Sequence, residues 1–585
     1  MASVDIPVLF IAAAILGIFN RKFSYIIIIV SSIYFIFKYF NFHILTSYFI
    51  LIASIVWIIV GAYSLNYGKN YGEWLHILIS VDVFGMSIIL LSQNYLWLIT
   101  GWEIMSISSY LIIGINKMVK GPAFIFMLFS EISTASLIIS AIITFSISGT
   151  FNLEAPVTPA VYLLISIGAF IKMGMFPFMI AEWLPIAHGS APANASAIFS
   201  ATMTLMGVFL IYKMTLLITY DIYFQYIGLF FLITGAISLF FGSIYAYISE
   251  NSKMLAGFST IENQGAILMG FGLYLISTNY SIRDFVLITI IIYSLAHSLG
   301  KSNLFMAIGT SGTEEFTNLK SGNDILYNVG LFLVTLSLSG LFPTIGGLAT
   351  WMLLESFFMQ ASLGGFMGAI AIIAGSVLAI SEGMASGAMF KIVSFLTSKK
   401  NTKIYGKRWE SAVIFSGGFF LIMLFIVSTM IIYSPFVGGV PSLYIANGFS
   451  IISKLNSNVF GILSPLYITG LILIIFLVNY SLFGKPRGRY VGAWNSGILA
   501  IENYTSFAYS NNIRLILKRL LQKRLNNSDQ SYLVPDIFWI EMNKFAISLR
   551  KYSRSFSRLF MNSSILWYMI YMIISFLAII IVVNL

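Results

Sequence analysis

Apolar stretches about twenty residues long recur along the chain and constrain its fold more than any other feature. Residues 23–40 contain one charge, Lys38, and residues 565–585 contain none. A helix of about 20 residues crosses a hydrocarbon core about 30 Å thick, and within that core its backbone groups can bond only to one another. Hydrophobic residues make up 59% of the chain and charged residues only 9%, which excludes an ordinary soluble domain.

The hydropathy pattern predicts an all-α integral membrane protein with about 16 transmembrane helices. No small-residue cleavage site follows the first span, so we expect that span to be retained rather than removed as a signal peptide. The predicted helices begin near residues 6, 23, 46, 75, 94, 120, 157, 192, 223, 254, 284, 326, 364, 411, 462 and 564.

Basic residues are distributed unevenly between the two sides of these helices. With the N-terminus outside, the inner loops collect the cluster Lys399 to Arg408 and every base from Lys485 to Arg558. This asymmetry predicts that both termini lie outside. It explains the net charge of +11 as a cytoplasmic retention signal, which can also bind anionic lipid. The basic residues do not indicate nucleic-acid binding. The outer loops hold little beyond Lys38, Lys213, Arg283 and Lys454.

Cysteine is absent and histidine is scarce. Without cysteine this chain has no disulfides, thiolate zinc sites or cysteine-ligated iron–sulfur clusters. The 4 histidines include no pair at helical ligand spacing, so we expect no haem or metal site. No Walker loop or dinucleotide-binding glycine motif is present either. We therefore expect no cofactor in this chain, and any electron transfer has to take place in a partner.

Two predicted helices share an interruption at a proline. Gly174-Met175-Phe176-Pro177 lies within the seventh span and Gly340-Leu341-Phe342-Pro343 within the twelfth. Proline removes an amide donor and clashes with the preceding turn, so each helix should break at Pro177 or Pro343. Breaks five helices apart indicate two inverted five-helix repeats, 75–220 (helices 4–8) and 221–392 (helices 9–13), with a site at each break. Two ordinary proline kinks are the alternative.

Four other segments complete the predicted organisation: helices 1–3 in 1–74, helices 14 and 15 in 393–484, a cytoplasmic lateral segment in 485–563 and the last helix in 564–585. Within the lateral segment, apolar residues from Phe538 to Leu559 recur at alternating spacings of four and three, with Lys544 and Lys551 on another face. This pattern predicts an amphipathic helix along the membrane surface. A coiled coil fits less well, because the flanking spans hold the segment against the bilayer.

Ionisable residues at bilayer depth are costly and mark functional sites. Glu103 lies midway along the fifth span, and Lys172 lies two residues before the first Gly-Met-Phe-Pro sequence. A facing carboxylate and amine neutralise one another when charged, and moving a proton changes their pairing, which is the physical basis of a proton gate. The structural alternative is a fixed ion pair that holds two helices together.

The eleventh span places Tyr293, His297 and Lys301 at i, i+4 and i+8, along one helix face. A titratable imidazole between a phenol and an amine suits a proton wire, although a single histidine can also be a satisfied core group. Asp82 in the fourth span needs a partner that the sequence does not identify. Other charged residues extend the polar series: Glu131 (sixth span), Glu262 beside Asn263 (tenth), Glu355 (after the second break), and Glu382 and Lys391 (thirteenth).

The same residues carry a family resemblance. Residues 102–110 (WEIMSISSY) resemble the fifth-helix motif of the antiporter-like subunits of complex I. Residues 172–178 (KMGMFPF) and 182–192 (EWLPIAHGSAP) resemble their broken seventh helix and its loop, and residues 253–261 (KMLAGFSTI) are similar to another family stretch. The resemblance runs from about residue 75 to 400. Four stretches are more typical of the large membrane subunit of group 4 hydrogenases, including formate hydrogenlyase: 259–263, 390–391, 492–497 and 504–507.

The resemblance implies that Glu103 and Lys172 form the gating pair of a first half-channel and that His297 and Lys301 serve a central relay. It implies that the surface helix braces neighbouring membrane-arm subunits. It also implies a peripheral redox module that carries iron–sulfur clusters and NiFe or quinone sites. The location that it implies is the plasma membrane of a prokaryote. Two positions depart from the family. Thr204 stands where the eighth helix usually has lysine, and Thr350 or Trp351 where lysine or glutamate usually follows the second break.

The leading hypothesis is therefore a subunit that moves protons, rather than sodium ions, when partner subunits of a hydrogenase-4-like or complex I-like assembly transfer electrons. Three alternatives remain. One is a subunit of a multi-subunit cation/proton antiporter without a redox module. Another is a non-conducting structural subunit, suggested by Thr204 and Thr350. The last is an inorganic-carbon uptake channel with a zinc-bearing partner. No active site of its own is expected in the chain.

Overall fold

The order of the helices follows the predicted spans closely. The computed structural model describes residues 5–484 apart from 42–43, 73, 116–119, 220, 313, 317–323, 398–407, 430–442, 447–448 and 456–457, and also residues 509–510, 544, 548 and 551. The first helices are α1 Asp5–Gly17, α2 Arg21–Tyr39, α3 Ser47–Tyr67, α4 Trp74–Leu91, α5 Tyr95–Ile113, α6 Lys120–Ser148, α7 Pro159–Met173, α8 Trp183–Ser190, α9 Ala193–Ile198 and α10 Thr204–Thr215. The later helices are α11 Ile222–Ile248, α12 Ser252–Ile276, α13 Tyr280–Ser311, α14 Ile325–Leu338, α15 Ile345–Ser362, α16 Gly365–Thr397, α17 Arg408–Ile426 and α18 Pro465–Phe483.

Length and apolar composition make many of these helices membrane spans. Within the described residues, 11 helices are long and apolar enough to cross a bilayer, and three shorter apolar helices accompany them. The prediction of a helical integral membrane protein is confirmed, with one small sheet as an exception. The count of about 16 spans and the inverted relation of the two repeats stay predictions, since the last predicted helix, 564–585, lies outside the described residues.

Polar residues at the helix starts explain why most boundaries could be predicted. The Asn94 side chain accepts a hydrogen bond from Trp97 N at 2.9 Å, and Asn251 accepts from the amides of Lys253 and Met254 at 3.0 Å. Thr344 accepts in the same way from Gly347 N at 3.4 Å at the start of α15. Such caps satisfy amides that have no partner within the helix and contribute about 1 kcal/mol each.

Two glycines end α7 and α14 ahead of the prolines named above. Gly174 follows α7 with a φ of 72° and Gly340 lies two residues after α14 with a φ of 63°, values in the left-handed region. Residues 174–182, between α7 and α8, are called the first break below, and residues 339–344, between α14 and α15, the second break. Pro177 lies in the first break and Pro343 in the second, where helices are interrupted as predicted for these sequences.

Contacts between loops sort them onto two sides of the bundle. On one side, Lys213 Nζ donates to Ser92 O at 2.6 Å, and Asn94 forms a bridge with Asn152. On the other side, Asn251 forms a bridge with Glu315. The first group contains loops predicted to be outside and the second contains loops predicted to be inside. The grouping agrees with the predicted topology, while the assignment of sides to cytoplasm and exterior stays a prediction.

A small antiparallel sheet between α17 and α18 is a feature that the sequence analysis missed. Strands β1 Leu443–Ala446, β2 Ser450–Leu455 and β3 Asn458–Leu463 lie in that order. They fall in the segment 393–484, for which only helices were predicted. Their apolar and β-branched residues suit strands, but the runs are too short to stand out beside twenty-residue spans.

Close packing of α11 against α12 fixes the position of Glu262. A Cβ added at Gly242 would lie 2.7 Å from Glu262 N, and one added at Gly265 would lie 2.6 Å from Leu239 N. Glycines therefore let the two backbones approach, as small residues commonly do between membrane helices.

Contacts divide the chain into two compact units, Met1–Ile513 and Arg514–Leu585. The second unit contains the predicted surface helix, 538–559, and the predicted last span, nearly all of which lie outside the described residues.

Candidate functional site

Lys172 is a fully buried cation at the end of α7, directly before the first break. Its ammonium donates hydrogen bonds to Ser106 Oγ on α5 at 2.6 Å and to Ser130 Oγ on α6 at 2.9 Å. The rings of Trp102 and Phe126 lie 5.9 and 5.1 Å from Nζ. Three helices thus converge on one buried charge.

Glu103 lies close enough to Lys172 to interact electrostatically, together with Asp82 and Glu131. It is half-buried, and its Oε1 atom is buried without a hydrogen-bond partner among the described residues. In the described part of the chain the direct partners of Lys172 are serines, so the fixed Glu103–Lys172 ion pair is not formed in this conformation.

Asp82 obtains the partners that the sequence did not identify. It is fully buried in α4, and the hydroxyls of Ser108 and Ser109 on α5 donate to its Oδ1 atom at 2.9 and 3.0 Å. Its Oδ2 atom has no hydrogen-bond partner within the described ranges. Adjacent serines on a helix that also carries Glu103 are the sequence signal that could have indicated this contact.

A second buried group of charges lies between α12, α13 and α16. Lys301 and Glu262 are fully buried, and both interact electrostatically with Glu382 on α16. Lys301 Nζ has one long contact in the described structure, to Ala256 O at 3.5 Å, whereas Glu262 accepts a hydrogen bond from Ser259 Oγ at 2.8 Å. Lys301 therefore has no close hydrogen-bond acceptor among the described residues, and it interacts electrostatically with the two carboxylates.

The predicted stripe on α13 is continuous, because Tyr293, His297 and Lys301 belong to one uninterrupted helix and are all buried. The Tyr293 hydroxyl donates to Glu382 Oε1 at 2.9 Å. His297 Nε2 lies 3.3 Å from Ser200 O, and its Nδ1 atom has no partner among the residues described. His188, which the sequence analysis placed only within a motif, is buried nearby and interacts with His297 and Lys301.

Neutral polar groups lie between the two clusters of charges. Thr204, at a position where the family usually has lysine, accepts a hydrogen bond from Gln264 Nε2 at 3.0 Å and donates to Ser200 O at 2.6 Å. Ser200 Oγ in turn lies 2.6 Å from Thr260 Oγ1. A π-helical turn, Phe199–Met203, interrupts the helix at this point. Hydroxyls and an amide thus form the polar contacts at this point.

Three other predicted site residues differ in their surroundings. Glu131 is exposed on α6 and interacts electrostatically with Lys172. Lys391 is buried and donates to Tyr247 O at 3.2 Å and to Ser249 O at 2.7 Å, where it caps the end of α11. Glu355 accepts a hydrogen bond from Ser453 Oγ of β2 at 2.5 Å and so joins α15 to the sheet.

The described residues contain no group of three or more His, Cys, Asp or Glu side chains that could hold a metal ion.

Residues 92–379 match the family described as NADH:quinone oxidoreductase/Mrp antiporter, TM. Hydrogenase-4 component B of Escherichia coli (strain K12) is 29% identical over 290 residues, which cover 45% of this chain and 42% of that protein. The putative antiporter subunit mnhA2 of Staphylococcus aureus (strain MSSA476) is 24% identical over 525 residues, which cover 82% of this chain and 64% of that protein. Both matches thus span less than two thirds of the relative's own length.

Solved structures share the fold at low sequence identity. A chain of the membrane-bound sulfane sulfur reductase (MBS), an archaeal respiratory membrane complex, superposes with a TM-score of 0.77 at 15% identity, covering 99% of this chain and 100% of that one. A chain of respiratory complex I from Thermus thermophilus superposes with a TM-score of 0.58 at 17% identity, covering 74% of this chain and 98% of that one. The matched residues 92–379 include both helix breaks, Lys172 and Lys301, and over this range the chain is similar to the NADH:quinone oxidoreductase/Mrp antiporter transmembrane family.

Proposed function

We propose that the chain is a proton-translocating membrane subunit of a multi-subunit redox complex, of the hydrogenase-4 or complex I type. The observation that carries this proposal is the pair of fully buried lysines, Lys172 and Lys301, neither of which forms a close ion pair in the described part of the chain. A buried cation without a tight counter-ion is expensive, and membrane proteins retain one where it moves charge.

The contacts around Lys172 suggest how it acts as a gate. With its ammonium on Ser106 and Ser130, the Glu103 carboxylate is left without a direct partner on Oε1 among the described residues. A proton that reaches this region changes the charge of one group and therefore the attraction between both. Lys172 can then exchange its serine partners for Glu103. This exchange would alter the electrostatic potential at the neighbouring polar side chains.

The second cluster carries the proton onward. His297 and Lys301 lie on the same face of α13, and Tyr293 links that face to Glu382. Proton transfer suits these groups better than sodium ion transfer. A sodium site needs several oxygen ligands around one point, whereas the polar atoms here form a line of single contacts.

Partner subunits follow from this function. The chain has no cysteine, so the electrons have to pass through other subunits that carry iron–sulfur clusters and NiFe or quinone sites. Other membrane-arm subunits and lipid would surround the chain in the plasma membrane of a prokaryote, with both termini outside.

The test is proton pumping by the purified complex in vesicles. We expect Lys172→Ala and Lys301→Ala each to lower pumping at least tenfold, because each removes a buried titratable group. Lys69→Ala is the control, because Lys69 is exposed after α3 and donates a local hydrogen bond to Asn66. Unchanged pumping in both buried-lysine variants would leave a structural membrane subunit as the better description.

A second candidate is a subunit of a multi-subunit cation/proton antiporter without a redox module. It is favoured by the match to the putative antiporter subunit, which covers 82% of this chain, against 45% for the hydrogenase component. Electron paramagnetic resonance of the complex purified through this chain separates the two. Iron–sulfur signals in stoichiometric amount support the redox complex, and their absence from a preparation that still exchanges cations for protons supports the antiporter.

A further inference from the structure

Glu382 of α16 lies against the second break, next to Gly340, which has no side chain. A Cβ added at Gly340 would lie 3.1 Å from Glu382 Oε2 and 2.7 Å from Thr350 Oγ1. Gly340 also has a φ of 63°, which side chains other than glycine rarely adopt. The break therefore brings the backbone, a threonine and a carboxylate from a neighbouring helix to one place.

Hydrogen bonds tie this carboxylate to the α13 stripe. Tyr293 donates to Glu382 Oε1 at 2.9 Å, and Thr350 Oγ1 lies 3.5 Å from the same oxygen. The interaction with Lys301 and Glu262 places Glu382 in the same electrostatic group as the central lysine. Thr350 itself has no titratable proton, so the titratable group beside the second break is Glu382.

A small cavity connects the carboxylate to the histidine. Its lining includes Asn263, Tyr293, His297, Thr350 and Glu382, and it has room for about one water molecule. The site is polar, and a water there would have several partners among these side chains. A water between the imidazole and the carboxylate would complete a path of hydrogen bonds from α13 to α16.

We propose that Glu382, on α16, is the proton-carrying group at the second break. Tyr293 Oη gives its proton to Glu382 Oε1 and takes another from the cavity water, which in turn takes one from a protonated His297. Two O–H bonds and one N–H bond break while three O–H bonds form, and no oxidant or reductant is needed. This inference rests on the proposed function and assigns one of its steps to a named residue.

The proposal is tested by moving the carboxylate from position 382 to position 350 and measuring proton pumping by the purified complex in vesicles. We expect Glu382→Gln to lower pumping at least tenfold, because glutamine keeps the shape but not the titratable proton. Thr350→Glu in the Glu382→Gln background should restore at least a third of the pumping, since position 350 faces the same cavity. Ser376→Ala on α16 is the control, because Ser376 is exposed and donates to Ile372 O of its own helix.

A spectroscopic measurement makes the test independent of pumping. Infrared difference spectra recorded during a pH titration should lose one carboxyl band in Glu382→Gln and regain a band in the double variant. Pumping that persists in Glu382→Gln but fails in Lys172→Ala overturns this inference and leaves the proposed function in place. Pumping that persists in both overturns the proposed function. Loss of pumping without loss of a titrating band, and without rescue, shows a structural role only and also overturns the inference.

Discussion

At the scale of single residues, the two buried lysines are held in different ways. Lys172 has two hydroxyl acceptors at 2.6 and 2.9 Å, whereas Lys301 has one carbonyl at 3.5 Å and depends on nearby carboxylates. A buried charge needs such acceptors, and removing one leaves part of the cost of burial uncompensated. The hydroxyl of Ser130 should therefore stabilise the fold through Lys172.

A mutant cycle between Ser130 and Lys172 tests this interpretation. Ser130→Ala removes a hydrogen bond to a charged donor and should cost about 1.5–3 kcal/mol, seen as a lower unfolding temperature in detergent. In a Lys172→Met background the same change should cost less than about 0.5 kcal/mol, because the donor is gone. Ser146→Ala, exposed on the same helix, is the control and should have no effect. Equal costs of Ser130→Ala in both backgrounds would falsify the coupling.

The sequence identified the buried lysines but not their partners. Lys172 and Lys301 stand out because a charge within an apolar span is rare. Ser106, Ser130 and Glu382 come from other helices, and which faces of two helices meet depends on packing that hydropathy does not report. The sequence therefore predicts Glu382 only as a member of the polar series, and it predicts Glu131 as an interior residue, whereas Glu131 is exposed.

At the scale of elements, helix boundaries were predicted well because their causes are local. Apolar length, asparagine and threonine caps, and the glycine and proline of the two breaks all lie within a few residues of the boundary they set. The sheet β1–β3 has no such local signal. Its register depends on pairing between strands, and its contact with Glu355 joins residues 98 positions apart.

The glycine of the first break gives a prediction at this scale. Gly174 and Gly149 both have a positive φ, 72° and 68°, but of the two Gly174 has the close neighbours, since a Cβ added there would lie 2.9 Å from Leu184 Cδ2. Gly149→Ala should cost about 1–2 kcal/mol from backbone strain alone. Gly174→Ala should cost about 1–3 kcal/mol more, because Leu184 has to move. Thermal unfolding of both variants in detergent measures the difference, and equal shifts would contradict the predicted contact.

At the scale of the whole molecule, the distribution of charge has to agree with the grouping of loops. The basic residues predict one side as cytoplasmic, and contacts such as Lys213 with Ser92 independently show which loops share a side. Both lines of evidence lead to the same arrangement of loops, although one uses composition and the other uses geometry. What stays open is the orientation of the bundle in the membrane, that is, which of its two sides faces the cytoplasm.

Labelling of single cysteines decides that choice, and the chain suits the method because it contains 0 cysteines. Lys69→Cys, after α3, should react with a membrane-impermeant maleimide only when cells are permeabilised, because its loop is predicted to be inside. Glu154→Cys, before α7, should react in intact cells. Both positions are exposed, so neither change should disturb packing. The reverse pattern would contradict the predicted orientation, because it would place the residues after α3 outside and those before α7 inside.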